Sequence, residues 1–151
     1  MTTLKKGDKA PDFSGADQDG TIHNLYDYKG KKLVVFFYPA ASTPTCTVEA
    51  CNLRDNFERF KALNYKILGV SADTQKKQEN FRKKNQLPFP LIADEDKSLI
   101  HAFGVWGPKK FMGRLFDGIQ RTTFIIDEEG VIEDVITDVK SKKHTEQILS
   151  S

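Results

Sequence analysis

The chain of 151 residues predicts a mixed α/β fold, a central sheet flanked by helices on both faces. Two observations carry that reading. From residue 33 onward the pattern runs strand, helix, strand, helix, and such an order demands a crossover and a parallel pair. After residue 120 two strand-like runs face each other across a short turn, and a hairpin adds antiparallel strands.

Residues 1–12 read as an extended lead-in. Asp17-Gln18-Asp19-Gly20 is a turn flanked by Phe13 and by Thr21-Ile22-His23-Asn24-Leu25, which predicts an N-terminal hairpin. The apolar run 33–38 is the first buried strand. Thr43 is a natural N-cap and Pro44 fits the first helical position, so a helix is expected over 44–63, ending near Asn64. Residues 65–71 form the next strand. Asp73 or Thr74 caps a polar helix to about Asn85, anchored by Phe81. Residues 88–93 give a short strand, and 97–103 a short helix stopped by Gly104. Residues 105–119 read as irregular, with Trp106, Phe111, Met112, Leu115 and Phe116 as a possible exposed apolar patch for a partner or a second subunit. Residues 122–127 and 131–139 make two strands across the turn 127–130, and 142–149 a last short helix. The length fits one domain spanning 1–151.

With 23 basic and 21 acidic residues the net charge is +2. That balance gives no electrostatic case for nucleic acid, and no basic motif interleaved with aromatics is present. There is no 18-residue apolar stretch to span a membrane, and the N-terminus lacks the apolar core of a signal peptide; a cytoplasmic location is expected. Two cysteines are too few for a disulfide scaffold. His23, His101 and His144 show no ligand spacing with the cysteines, so a zinc site is not expected.

Cys46 falls in the first turn of the expected helix, directly after the first buried strand. Free backbone N–H groups and the positive end of the helix dipole favour an anion there, which suits a nucleophilic thiolate. On an ideal helix, Cys46, Ala50, Leu53, Phe57 and Phe60 share one stripe within about 40°, whereas Cys51 lies about 140° around. The two cysteine Cα atoms would be about 8.7 Å apart, beyond the roughly 7 Å a disulfide allows. Two readings stand at this point. The cysteines are unrelated small apolar residues, or Cys46 is oxidised first and the helix locally unwinds to let Cys51 reach it.

The segment Phe37-Tyr38-Pro39-x-x-x-Thr43-Pro44-x-Cys46-Thr47-x-Glu49-Ala50-Cys51 resembles the active-site segment of peroxiredoxins. A second cysteine five residues after the first is similar to the bacterioferritin comigratory protein (PrxQ) subfamily. Pro11-Asp12-Phe13, Asp19-Gly20, Val70-Ser71-Ala72-Asp73, Pro90-Leu91-x-x-Asp94, Gly104-Val105-Trp106-Gly107 and Arg121-x-Thr123-Phe124-x-Ile126-Asp127 extend the resemblance over about residues 4–149. Thr45 stands where the family often has glycine, and Ala40 and Ala41 where charged residues are common.

The resemblance implies a thioredoxin-like fold and thiol-dependent reduction of hydrogen peroxide and organic hydroperoxides. It makes Cys46 the peroxidatic cysteine and Cys51 the resolving one, with Pro39, Thr43 and Arg121 completing the peroxide pocket. It implies recycling of a Cys46–Cys51 disulfide by thioredoxin or a similar dithiol, a monomer, and no metal, haem or flavin. Arg121 suits the role because it is always charged and carries planar donors. Thr43 can accept from a backbone N–H as a cap and donate to a peroxide oxygen. Glu49 is expected to be a solvated or network-forming carboxylate and not a base. Two alternatives compete on the same fold. A thiol–disulfide oxidoreductase is disfavoured by the lack of a Cys-x-x-Cys pair; a redox-sensing or holdase interaction protein would differ in lacking peroxide turnover.

Overall fold

The computed structural model describes residues 2–150. Strands β1 (Ser14–Ala16) and β2 (Ile22–Asn24) form the expected N-terminal hairpin. Asp17 closes its turn by accepting the Asp19 and Thr21 N–H groups. A single 3-10 turn, Leu25–Tyr28, leads from β2 into β3 (Lys32–Phe37).

The central sheet also holds β4 (Tyr65–Ser71), β5 (Leu91–Ala93), β8 (Thr122–Ile126) and β9 (Ile132–Ile136), in the order β5-β4-β3-β8-β9. β3, β4 and β5 are parallel; β8 and β9 run antiparallel to their neighbours. The mixed sheet is therefore as the alternation of elements and the C-terminal hairpin predicted.

Alternation along β3 divides the core in two. Leu33, Val35 and Phe37 point to one face, where Phe103, Phe124 and Ile100 meet them. Val34, Phe36 and Tyr38 point to the other, with Cys46, Ala50, Leu53, Phe81 and Ile148. Gly69 allows this second layer to close on the sheet. A Cβ there would stand 2.7 Å from a Leu91 methyl and 2.9 Å from the Phe36 ring.

Helices α1 (Pro44–Asp55), α2 (Phe57–Ala62), α3 (Gln75–Lys84) and α5 (His144–Leu149) contribute to the Cys46 face, and α4 (Ser98–Ala102) to the opposite one. Gly104, at φ +68°, ends α4 as expected. Asn64, at φ 63°, closes the α2 region.

Three expectations are corrected. The helix expected over 44–63 is two helices broken at Asn56, whose side chain turns back to donate to the Asn52 carbonyl. The stretch 105–119 is not irregular. It is a hairpin of β6 (Trp106–Phe111) and β7 (Arg114–Ile119), turned by Met112 and Gly113, both with positive φ. Its tip exposes Phe111, Met112, Leu115 and Phe116, whereas Trp106 packs partly against the core beneath Lys97. The last expected helix begins as a 3-10 turn, Ser141–Lys143, before α5.

Candidate active site

The site forms where β3 leaves the sheet and α1 begins. The connecting loop, residues 38–43, is held from the side: Asp73 Oδ2 accepts the Ala41 N–H at 2.7 Å and the Ser71 hydroxyl at 2.6 Å. Ser42 adopts φ 64°, a conformation that strains a non-glycine residue and persists only where the surroundings enforce it. Pro39 is half-buried and Thr43 exposed in this loop. Thr43 has the extended backbone of an N-cap and Pro44 occupies the first turn, as expected. The side-chain cap is absent, however. Thr43 donates its hydroxyl to the Ala40 carbonyl at 2.9 Å instead.

Cys46 lies in the first turn of α1 and is 1% exposed. Arg121, immediately before β8, donates Nη2–H to Cys46 Sγ at 3.2 Å and Nη1–H to Glu49 Oε1 at 2.7 Å. One planar fork thus spans a thiol and a carboxylate one helical turn apart. Burial opposes the Arg121 charge, but the facing Glu49 and Cys46 outweigh it and raise its pKa.

Glu49 is fully buried, so the expectation of a network-forming carboxylate holds and that of a solvated one fails. Burial pushes its pKa up to about 7, against the pull of Arg121. Its second oxygen faces His144 Nε2 of α5 at 3.4 Å. His144 Nε2 also meets Thr123 Oγ1 at 2.7 Å, and Nδ1 meets Gln147 Oε1 at 2.9 Å. Burial lowers the His144 pKa, opposed by Gln147 and assisted by Arg121. The sequence treated His144 as isolated; nothing local marks it, because it arrives from the far end of the chain.

An open cleft of about 360 Å³ beside Arg121 is lined by Lys109, Lys110, Gln120, Thr122 and Thr137. Lys109 donates to the Ile119 carbonyl, and burial, then Arg121, lower its pKa.

Cys51 is on the same unbroken helix as Cys46, and both thiols are free. Cys51 Sγ is partly exposed and lies 3.7 Å from Asn85 Oδ1 at the end of α3. The structure therefore joins Cys46 and Arg121 directly and keeps Cys51 on a different side of the helix.

A family model described as the AhpC/TSA family matches residues 6–135. The chain belongs to the AhpC/TSA family, in its Bcp/PrxQ peroxiredoxin branch. Peroxiredoxin Bcp of Escherichia coli (strain K12) is 47% identical over 150 residues, 99% of this chain and 96% of that protein. A PrxQ cysteine-to-serine mutant from Xylella fastidiosa superposes with a TM-score of 0.92 at 30% identity, over 99% of this chain and 96% of its own. The bacterioferritin comigratory protein of Xanthomonas campestris, solved for insight into its alkyl peroxide reduction activity, gives a TM-score of 0.87 at 35% identity, over 93% and 89% of the two chains. The fold is thus thioredoxin-like, and the chain is a thiol-dependent peroxidase, an oxidoreductase that acts on peroxides and is recycled by a thioredoxin-type reductant. Among the described residues no helix is long and apolar enough to cross a membrane.

Proposed function

We propose that Cys46 is the peroxidatic cysteine and Cys51 the resolving one, that both hydrogen peroxide and organic hydroperoxides are substrates, and that thioredoxin reduces the resulting disulfide. The observation that carries this is the 3.2 Å contact of Arg121 Nη2 with a buried Cys46 Sγ in the first turn of α1. There the thiolate attacks one peroxide oxygen, and Arg121 stabilises charge moving onto the other. The X. campestris relative's alkyl peroxide activity supports the organic substrates.

Thr43 donates its hydroxyl to Ala40 in this structure, and the same oxygen has lone pairs that can accept from a peroxide O–H. Pro39 closes the loop with apolar surface. The sulfenic acid on Cys46 then condenses with Cys51 after α1 opens, since an intact helix holds them apart. One domain, a monomeric state and a cytoplasmic location complete the reading.

Intact mass and free-thiol count, taken before and after one equivalent of hydrogen peroxide and again after thioredoxin, test it. Loss of two thiols with a mass decrease of about two daltons, reversed by thioredoxin, is expected. Retention of both thiols would sink the assignment of Cys46.

A further inference from the structure

Cys46, Arg121, Glu49 and His144 form one buried cluster, and its charges do not balance. A Cys46 thiolate and a Glu49 carboxylate both face Arg121, the cation that touches each of them. The other ionisable neighbours do not supply the missing positive charge. Tyr38, beneath Cys46, is kept neutral by its burial. Lys109 is half-buried on β6 and turned to the Ile119 carbonyl. One more proton would make the cluster neutral.

The geometry has a place for it. Glu49 Oε1 is taken by Arg121, while Oε2 is buried and has no hydrogen-bond partner. Opposite it stands His144 Nε2 at 3.4 Å. The tautomer of His144 is fixed from behind. Gln147 Nε2 donates to the Asp138 carbonyl, and Gln147 Oε1 accepts the Lys140 N–H, so Oε1 is an acceptor toward His144 Nδ1. Nδ1 therefore carries the hydrogen, and neutral Nε2 accepts from the Thr123 hydroxyl. In that arrangement an ionised Glu49 sets lone pair against lone pair across 3.4 Å. A proton on Oε2, or on Nε2, removes the conflict.

We propose that Glu49 and His144 share one buried proton whose occupancy follows the charge on Cys46, so that the pair sets how the first oxidation step responds to pH. The inference rests on the reading of Cys46 as the attacking sulfur. In that step the thiolate forms an S–O bond and the peroxide O–O bond breaks. Sulfur is oxidised by two electrons, the peroxide is reduced, and the departing alkoxide or hydroxide takes one proton. Cys46 becomes a neutral sulfenic acid. Arg121 then faces Glu49 alone, the carboxylate is favoured, and the pair releases its proton to solvent. One proton is consumed and one released, so the step as a whole is proton-neutral when the pair starts loaded. By linkage the effect is reciprocal: a proton on the pair favours the thiolate. His144 and Glu49 are positioning residues that act through Arg121.

Two measurements test this. The first follows the Glu49 carboxyl carbon and the His144 ring by NMR titration, in the reduced protein and in Cys46→Ser. Removing the sulfur charge is expected to lower the Glu49 midpoint by at least about half a pH unit. Equal midpoints would overturn the proposal, and this arm needs no change in the pair itself. The second compares pH profiles for the rate of the first oxidation. The unaltered protein is expected to show an ionisation near neutrality that Glu49→Gln lacks and His144→Gln shifts. Coincident profiles for all three proteins would overturn the proposal while leaving Cys46 as the reacting sulfur. Absence of peroxide-dependent thiol loss in the unaltered protein would instead overturn the underlying assignment of Cys46.

Discussion

Asn52 of α1 and Thr145 of α5 hold each other through two hydrogen bonds. The Thr145 N–H donates to Asn52 Oδ1 at 2.8 Å, and the Thr145 hydroxyl to the Asn52 carbonyl at 3.3 Å. Asn52 Nδ2 also donates to the Lys142 carbonyl at 3.0 Å. The residue beside Cys51 therefore ties α1, the helix proposed to open, to the C-terminal segment. Asn52→Ala is expected to lower stability by about 1–2 kcal/mol. It is also expected to speed disulfide formation after the first oxidation about three- to tenfold, because the latch is absent from the opened state. A two-phase stopped-flow trace with an unchanged second phase would show that the latch stays closed during resolution.

Arg121 is the group common to the sulfur and the buried carboxylate. Arg121→Ala is expected to slow the first oxidation about 10²- to 10³-fold. Arg121→Lys keeps the charge but cannot reach both partners with one planar fork, so it is expected to fall in between. Single-turnover kinetics with hydrogen peroxide measure both. A normal rate in Arg121→Ala would remove this residue from the chemistry.

Asp73 fixes the loop ahead of Cys46 by accepting from Ala41 and Ser71. Asp73→Ala is expected to cost about 1.5–3 kcal/mol, as a lost hydrogen bond to a charged acceptor does. Asp73→Asn, which retains an acceptor oxygen, is expected to cost less. Urea unfolding of the two variants decides between an anchored loop and one held by packing alone.

The Glu49 carboxyl titrates at about 7 in the folded chain against 4.5 in the unfolded one. Between those values the folded state binds the extra proton, so this group's contribution to stability falls as pH rises from 4.5 to 7. The loss amounts to at most about 3 kcal/mol. His144, lowered by burial, works in the opposite sense on the acid side of neutrality. Glu49→Gln removes the carboxyl and its coupling to His144, so the difference in unfolding free energy between the two proteins reports the Glu49–His144 pair. Its expected course is a decline for the unaltered protein relative to the variant across that window. A constant difference would mean that the folded and unfolded chains bind the Glu49 proton alike across that window.

The start of α1 was legible because Pro44 suits a first helical turn and Thr43 an N-cap backbone, although the Thr43 side chain does not make the cap. The placement of Arg121 against Cys46 was legible only beside the resemblance, since a charge opening a strand is common. The break at Asn56 was hidden, because Phe57 and Phe60 continue the apolar spacing of Cys46, Ala50 and Leu53 across it. The β6–β7 hairpin was missed for a chemical reason. Its two-residue turn needs positive φ at both positions, and Met112 fills the one where asparagine or aspartate would have announced it. Glu49 and His144 are 95 residues apart in sequence, and only the docking of α5 on α1 makes them a pair.

The interruption at Asn56 also bears on timescale. α1 is about three turns long, and α2 beyond the break places Phe60 in the core as a separate helix. A segment of that length rewinds in about a microsecond or less. Rewinding of α1 would then add little to the time of the catalytic cycle, and the slower event at this helix would be its opening against the Asn52 latch.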